Sequence, residues 1–258
     1  MAYESLTKKL KAYLLDEESK VVLKEGSYKN FLTCPIDYLP PREQEILASS
    51  LQGIPGIIKI GAISFNYTDL FEKSIDFNYA KEDLSTKFLE RTSQFVTLIK
   101  IHGSLQNSIL LGVDRKEQIA NEVLANNPDV CDFLVKPQTN VIVGSLRDRE
   151  ARNWIDGADL IVIFGMSIGD TDKSWWQRIY TRLESFENAR MLIFYYAKDV
   201  TMSSPWKAGK RRREILSRFE CVADIPAEKM EMIEKKIFVC FNKGFFNPNT
   251  PIEPVISK

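Results

Sequence analysis

Leu160-Ile161-Val162-Ile163-Phe164-Gly165-Met166-Ser167-Ile168-Gly169-Asp170-Thr171-Asp172 is the stretch on which the fold turns. Its first five residues are apolar without alternation, the pattern of a strand buried on both faces, as in parallel sheets. The strand stops at Gly165. Beyond the bend, Trp175, Ile179, Leu183 and Phe186 fall at helical spacing, so a helix follows, with Asp170 or Thr171 as its expected N-cap. Trp175 and Trp176 are adjacent and point apart on that helix, one toward the core and one free to cover a pocket or a partner surface.

Outward from this unit the same alternation recurs. Ile57 to Phe65 reads as another strand buried on both faces, Phe95 to Ile101 as a strand, Asn140 to Val143 as a short strand and Arg147 to Ile155 as a helix. Arg115 to Leu134 is mostly helical with a break at Asn127-Pro128, and Met191 to Tyr196 is the next strand. Strand alternating with helix predicts an α/β layered fold, Rossmann-like, with a mostly parallel sheet and right-handed crossovers. The flanks add an amphipathic helix from Tyr3 to Leu14, a helix from Arg42 to Leu51 after two prolines, a basic helix from Lys207 to Phe219 and a strand from Ile237 to Phe241. The expected organisation is an amino-terminal helical segment (1–56), the α/β domain (57–245) and a proline-bearing tail (246–258).

Composition narrows the function. In 258 residues, 35 Lys and Arg balance 35 Asp and Glu, which makes a protein that blankets nucleic acid or anionic membrane unexpected. No apolar run approaches the roughly 20 residues of a membrane span, and the charged start is not secretory, so a cytoplasmic location is expected. The cysteines Cys34, Cys131, Cys221 and Cys240 lack Cys-x-x-Cys spacing and read as reduced thiols. With one histidine in the chain no zinc site is expected, and Asp170 and Asp172 lack the further acids that magnesium would want.

In α/β sheets ligands sit outside the carboxyl ends of the strands. Three segments qualify here: Ser64 to Asp69, Ile101 to Ser104, and Gly165 to Asp172. His102 is the proton-transfer candidate, because only an imidazole titrates near neutrality unperturbed; the plainer reading is a structural hydrogen bond. Gly103 would allow close approach of a ligand or of backbone. The Gly165 bend ahead of a helix suits a phosphate or ribose oxygen, and Asp170 and Asp172 suit ribose hydroxyls, though capping explains the two acids without a ligand. Turn bonding likewise explains Asn66 and Asp69. The run Lys207 to Arg213 reads as a solvated face.

Taken together, Phe65-Asn66-Tyr67-Thr68-Asp69, Ile101-His102-Gly103-Ser104 with Ile109 to Asp114 after it, and Phe164 to Asp172 resemble the bacteriophage abortive-infection AbiH family. That resemblance implies an antiviral defence protein. The family in turn resembles the sirtuin-like (SIR2-like) nucleotide-binding fold, which implies a pocket with His102 and Asn66 catalytic, and Asp69, Gly103, Ser104, Gly165, Ser167, Asp170 and Asp172 binding. The implied reaction is an NAD glycohydrolase type of cleavage, with NAD or a related nucleotide as substrate rather than as a resident cofactor. The second implied role, of a different class, is a non-catalytic sensor or interaction module for a phage component or partner protein. Relatives open with a strand and a Gly-Asn-Gly-Phe-Asp type loop, whereas the first glycine here is Gly26, so that segment is expected to be lacking. Met166 stands where relatives often carry histidine.

Overall fold

The computed structural model describes residues 2–21, 35–51, 57–75, 84–85, 92–107, 109–142, 144–201 and 203–242, so Cys34 and the 246–258 tail lie outside it. In chain order the elements are helix α1 (Ala2–Ser19), α2 (Pro41–Leu51), strand β1 (Ile58–Ser64), α3 (Leu70–Ile75), β2 (Leu84–Ser85), β3 (Thr92–Lys100), α4 (Glu122–Ala125), α5 (Pro128–Leu134), α6 (Lys136–Ile142), α7 (Arg147–Gly157), β4 (Leu160–Phe164), α8 (Lys173–Ser185), β5 (Arg190–Tyr195), α9 (Pro205–Ala223), α10 (Ala227–Glu234) and β6 (Ile237–Phe241).

The chain is α/β with short parallel sheets, an arrangement compatible with a Rossmann-like fold. Among the described residues the strands form two sheets, ordered β1-β3-β2 and β4-β5-β6. β1 runs parallel to β3, with a register shift between Ile60 and Gly61, and β4, β5 and β6 are mutually parallel. Only the short β2 is antiparallel.

Side chains alternate across the strands, and two apolar clusters record it. Ile161, Ile163, Met191 and Ile193 pack with α7, α8, α9 and α10 on one face. Val162, Leu192 and Phe194 pack with Leu39 and Leu47 on the other. Each cluster also contains residues of the first sheet, Ile99 in one and Phe95 in the other, so both sheets share the same two helical layers. Trp176 and Phe219, both without exposure, meet edge to face at 6.1 Å and bind α8 to α9.

Three expectations are corrected. Asn140 to Val143 is not a strand: Lys136–Ile142 is helical, because Pro137 in the first turn carries the φ a helix needs and the Val141 side chain stays in water. Trp175 and Trp176 are both core residues rather than one, since α8 is covered by Phe65 and Arg152 on one side and Phe219 on the other, and both also line the cavity beside β1 and β4. The basic run keeps its solvated face, with Lys210 and Arg213 exposed, while Arg211 pairs at the surface with Asp199 and Glu214 and Arg212 donates to the carbonyls of Glu234 and Ile237. β1 is half-buried with exposed positions along it, and among the described residues only its β3 edge is paired.

Candidate functional site

The loops after β1 and β4 and the turn after β3 meet at the carboxyl ends of the strands. Ile101 N–H bonds to the carbonyl of Ser64 at 3.0 Å, and Leu105 N–H to that of Tyr67 at 3.0 Å, which fixes the β3 turn against the β1 loop. Gly103 (φ 81°) and Gly165 (φ 62°) both occupy the left-handed region, which a side chain would strain, and so let the chain turn sharply at these two strand ends.

Lys100, the last residue of β3, organises the β1 loop from below. Its ammonium pairs with Asp69 at 2.6 Å and Glu72 at 2.8 Å and donates to the Thr68 carbonyl at 2.8 Å. Glu18 of α1 accepts the Asp69 N–H at 3.1 Å and pairs with Lys73. Asp69 is thereby committed to an internal ion pair. On the β4 side, Arg218 of α9 donates to the carbonyl of Ile168 and anchors the Gly165 loop.

His102 is 5% exposed. Its ring meets Phe65 edge-on at 5.5 Å, and its Nε2 lies 3.3 Å from Lys136 Nζ and 3.6 Å from Asp172 Oδ1. Lys136 Nζ is 3.7 Å from the same carboxylate oxygen. The role of Nε2 follows the tautomer: carrying the proton it donates to the Asp172 carboxylate, and bare it accepts from the Lys136 ammonium. Nδ1 is buried with no partner among the described residues. Burial pushes the Asp172 carboxyl up, but the His102 imidazole and the Lys136 ammonium outweigh it and hold the group below its ordinary value. Burial also pushes the Tyr67 phenol up to about 12, helped by Tyr3 and Asp172, so Tyr67 stays protonated and donates to the Leu110 carbonyl at 3.0 Å.

A cavity of 1210 Å³ opens beside this cluster, with Asn66, Gly165, Ser167 and Asp172 in its wall. His102, Gly103, Ser104, Asp69 and Asp170 are not part of that wall. Ser104 is buried and accepts from Asn107 at 3.3 Å; Asp170 is exposed, and its carbonyl accepts from Gln118 at 2.7 Å. The three loops are therefore neighbours, but His102 stands behind the cavity wall, in contact with its lining residues Asp172 and Phe65. The N-cap of α8 is Asp172, not Asp170 or Thr171, and its carboxylate makes no capping bond because it turns to His102 and Lys136. Capping comes from across the fold: Asp114, 6% exposed, accepts from Ser174 N–H at 3.1 Å and Ser174 Oγ at 3.0 Å.

Lys136 and the capping role of Asp114 escape sequence reading, since each acts on a residue far along the chain. Among the described residues no cluster of three or more His, Cys, Asp or Glu could hold a metal ion. Cys131 and Cys221 are free thiols, and the Cys240 Sγ donates to the Tyr38 carbonyl at 3.5 Å. No described helix is long and apolar enough to cross a membrane.

The family model for bacteriophage abortive infection AbiH matches residues 13–195, which includes all three loops of the site. The chain belongs to the AbiH family. Its match begins inside α1 and ends with β5, so the AbiH region takes in Lys100, His102, Asp114, Lys136 and Asp172. No curated protein and no solved structure matches the chain.

Proposed function

We propose that this AbiH protein acts in abortive infection by binding NAD or a related nucleotide in a sirtuin-like pocket at the carboxyl ends of β1 and β4, and by cleaving its nicotinamide–ribose bond. The observation that carries the reading is the Asp172 carboxylate, held ionised by His102 and Lys136 while facing a cavity that also meets Asn66 and Ser167. A carboxylate held below its ordinary pKa is a poor base but a dependable negative charge. Its role is therefore to accept ribose hydroxyls and to stabilise the positive charge that develops on the ribose as the bond breaks. The C–N bond pair leaves with nicotinamide, which departs neutral; water adds to the ribose carbon and its proton passes to solvent. Asn66 orients that water, and the Gly165 to Ser167 turn takes the phosphate or adenosine side. His102 is a positioning residue that acts through Asp172.

The burial of His102 favours the second reading, a binding module without turnover. Incubating the pure chain with NAD and measuring free nicotinamide separates the two. Release that Asp172→Asn lowers by roughly a hundred- to a thousandfold supports the enzyme. His102→Ala then shifts the acid limb of the pH profile upward, because Asp172 loses the group that depresses its pKa. Tight binding of ADP-ribose without nicotinamide release supports the module, and neither binding nor release rejects the pocket.

A further inference from the structure

We propose that the exposed face of α9 that carries Trp206, Lys210 and Arg213 binds single-stranded nucleic acid, an unpaired base stacking on the indole while the flanking phosphates pair with the cations. The face stands apart from the candidate nucleotide site, since none of these three side chains lines the cavity beside β1 and β4. Trp206 is 68% exposed, whereas Trp175 and Trp176 are core residues. A large ring left in water is the observation to explain, because burial is where such a side chain stabilises most.

The helix decides which way these residues point. Its apolar face, with Ile215, Leu216 and Phe219, is buried in the core, so the opposite side meets water. At about 3.6 residues per turn, Trp206, Lys210 and Arg213 share an arc of about 60° and span about 10 Å along the axis. Lys210 and Arg213 are exposed. Glycine is unfavourable in a helix interior, yet Gly209 sits between them, and the Arg213 Nη1 lies 3.6 Å from where its Cβ would stand. The guanidinium thus folds back by a turn, toward Trp206.

Charge is concentrated here. The whole chain is neutral, 35 Lys and Arg against 35 Asp and Glu, but from Lys198 to Glu214 six cations meet only Asp199 and Glu214, which leaves the remainder net acidic. Arg211 takes both acids, at 3.4 and 2.8 Å, and so ties the loop after β5 to the helix. Lys198, Lys207, Lys210 and Arg213 have no ion pair among the described residues. Tyr195 and Tyr196, 38% and 56% exposed, stand at the start of that same loop.

Rings beside uncommitted cations select the occupant. A sugar–phosphate backbone satisfies the cations, and every base has a π-face for the indole. A duplex keeps its bases stacked inside and offers the indole nothing. An anionic membrane would need the apolar face of α9, which the core already holds. An acidic peptide would satisfy the cations and leave the indole in water.

The probe is a labelled single strand of twelve thymidines, added to the full chain at low salt, with a duplex of equal length, a twelve-residue glutamate peptide and phosphatidylserine vesicles as comparisons. The single strand is expected to bind tightest and to quench the fluorescence of Trp206. Trp206→Ala should weaken it by roughly five- to a hundredfold at an unchanged melting temperature, and Trp206→Phe should recover part of the loss. Lys210→Gln with Arg213→Gln should lower the slope of log affinity against log salt by about 1.4, while Lys9→Gln on α1 leaves affinity unchanged. Equal binding of the duplex or the glutamate peptide would mean a merely cationic surface and overturn the proposal. Preference for the vesicles, full affinity in Trp206→Ala, or no binding of the single strand would overturn it as well.

Discussion

The Asp172 carboxylate, in the loop after β4, lies 3.6 Å from the Nε2 of His102, in the turn after β3, and Lys136 closes the cluster from α6. Because Asp172 is held below its ordinary pKa in the folded chain, its stabilising contribution is complete above the unfolded value near 3.8 and disappears as pH falls through the folded value. Asp172→Asn is expected to be less stable than the parent at neutral pH, since it leaves Lys136 without its anion. The gap should close as pH drops below about 4, as seen in denaturation midpoints measured across pH.

Tyr67 gives the opposite limb. Its folded-state pKa of about 12 exceeds the ordinary 10, so the stability tied to the neutral phenol is present below pH 10 and lost as pH rises toward 12. Tyr67→Phe cannot ionise and should unfold less steeply than the parent over that window, at the cost at neutral pH of the Leu110 hydrogen bond, about 1 kcal/mol. Thermal denaturation across this range measures it.

The cap from Asp114 to Ser174 fastens the start of α8 to the segment after the His102 turn. Asp114→Ala should cost about 1–2 kcal/mol, which for a chain of this size lowers the melting temperature by roughly 2–8 °C. Asp114→Asn keeps an acceptor oxygen and should recover part of the loss. Calorimetry of the three proteins checks the order.

Gly165 has φ 62° and open space where a side chain would project. Gly165→Ala therefore meets no clash and pays only backbone strain, about 1 kcal/mol, while tilting the turn that carries Ser167. The expected result is a small drop in stability with a larger loss of nucleotide binding, read by urea denaturation beside titration calorimetry with ADP-ribose.

The helices and strands with one clear period were legible in the sequence. Leu160 to Phe164 is a strand with the bounds its apolar run announces, and the three loops converge because parallel strands deliver their carboxyl ends to one rim. What stayed hidden is of two kinds. Val141 and Ile142 look like a strand but sit on a helix whose geometry Pro137 sets, so a local constraint overrode β-branched propensity. Lys136 and Asp114 act on residues that only the fold brings near, and no spacing announces such a pair. The division of the strands into two sheets was equally invisible, since an apolar strand reads alike whether one or both of its edges are paired.

His102 is the single histidine, so its ring nitrogens give the only imidazole signals in a nitrogen-15 spectrum. Titrating the labelled chain with ADP-ribose and following those signals tests directly whether the Asp172 cluster serves a nucleotide site. The account predicts a saturable shift of the Nε2 resonance that Asp172→Asn abolishes. A resonance that stays fixed through millimolar ligand, or that moves equally in the variant, would contradict it.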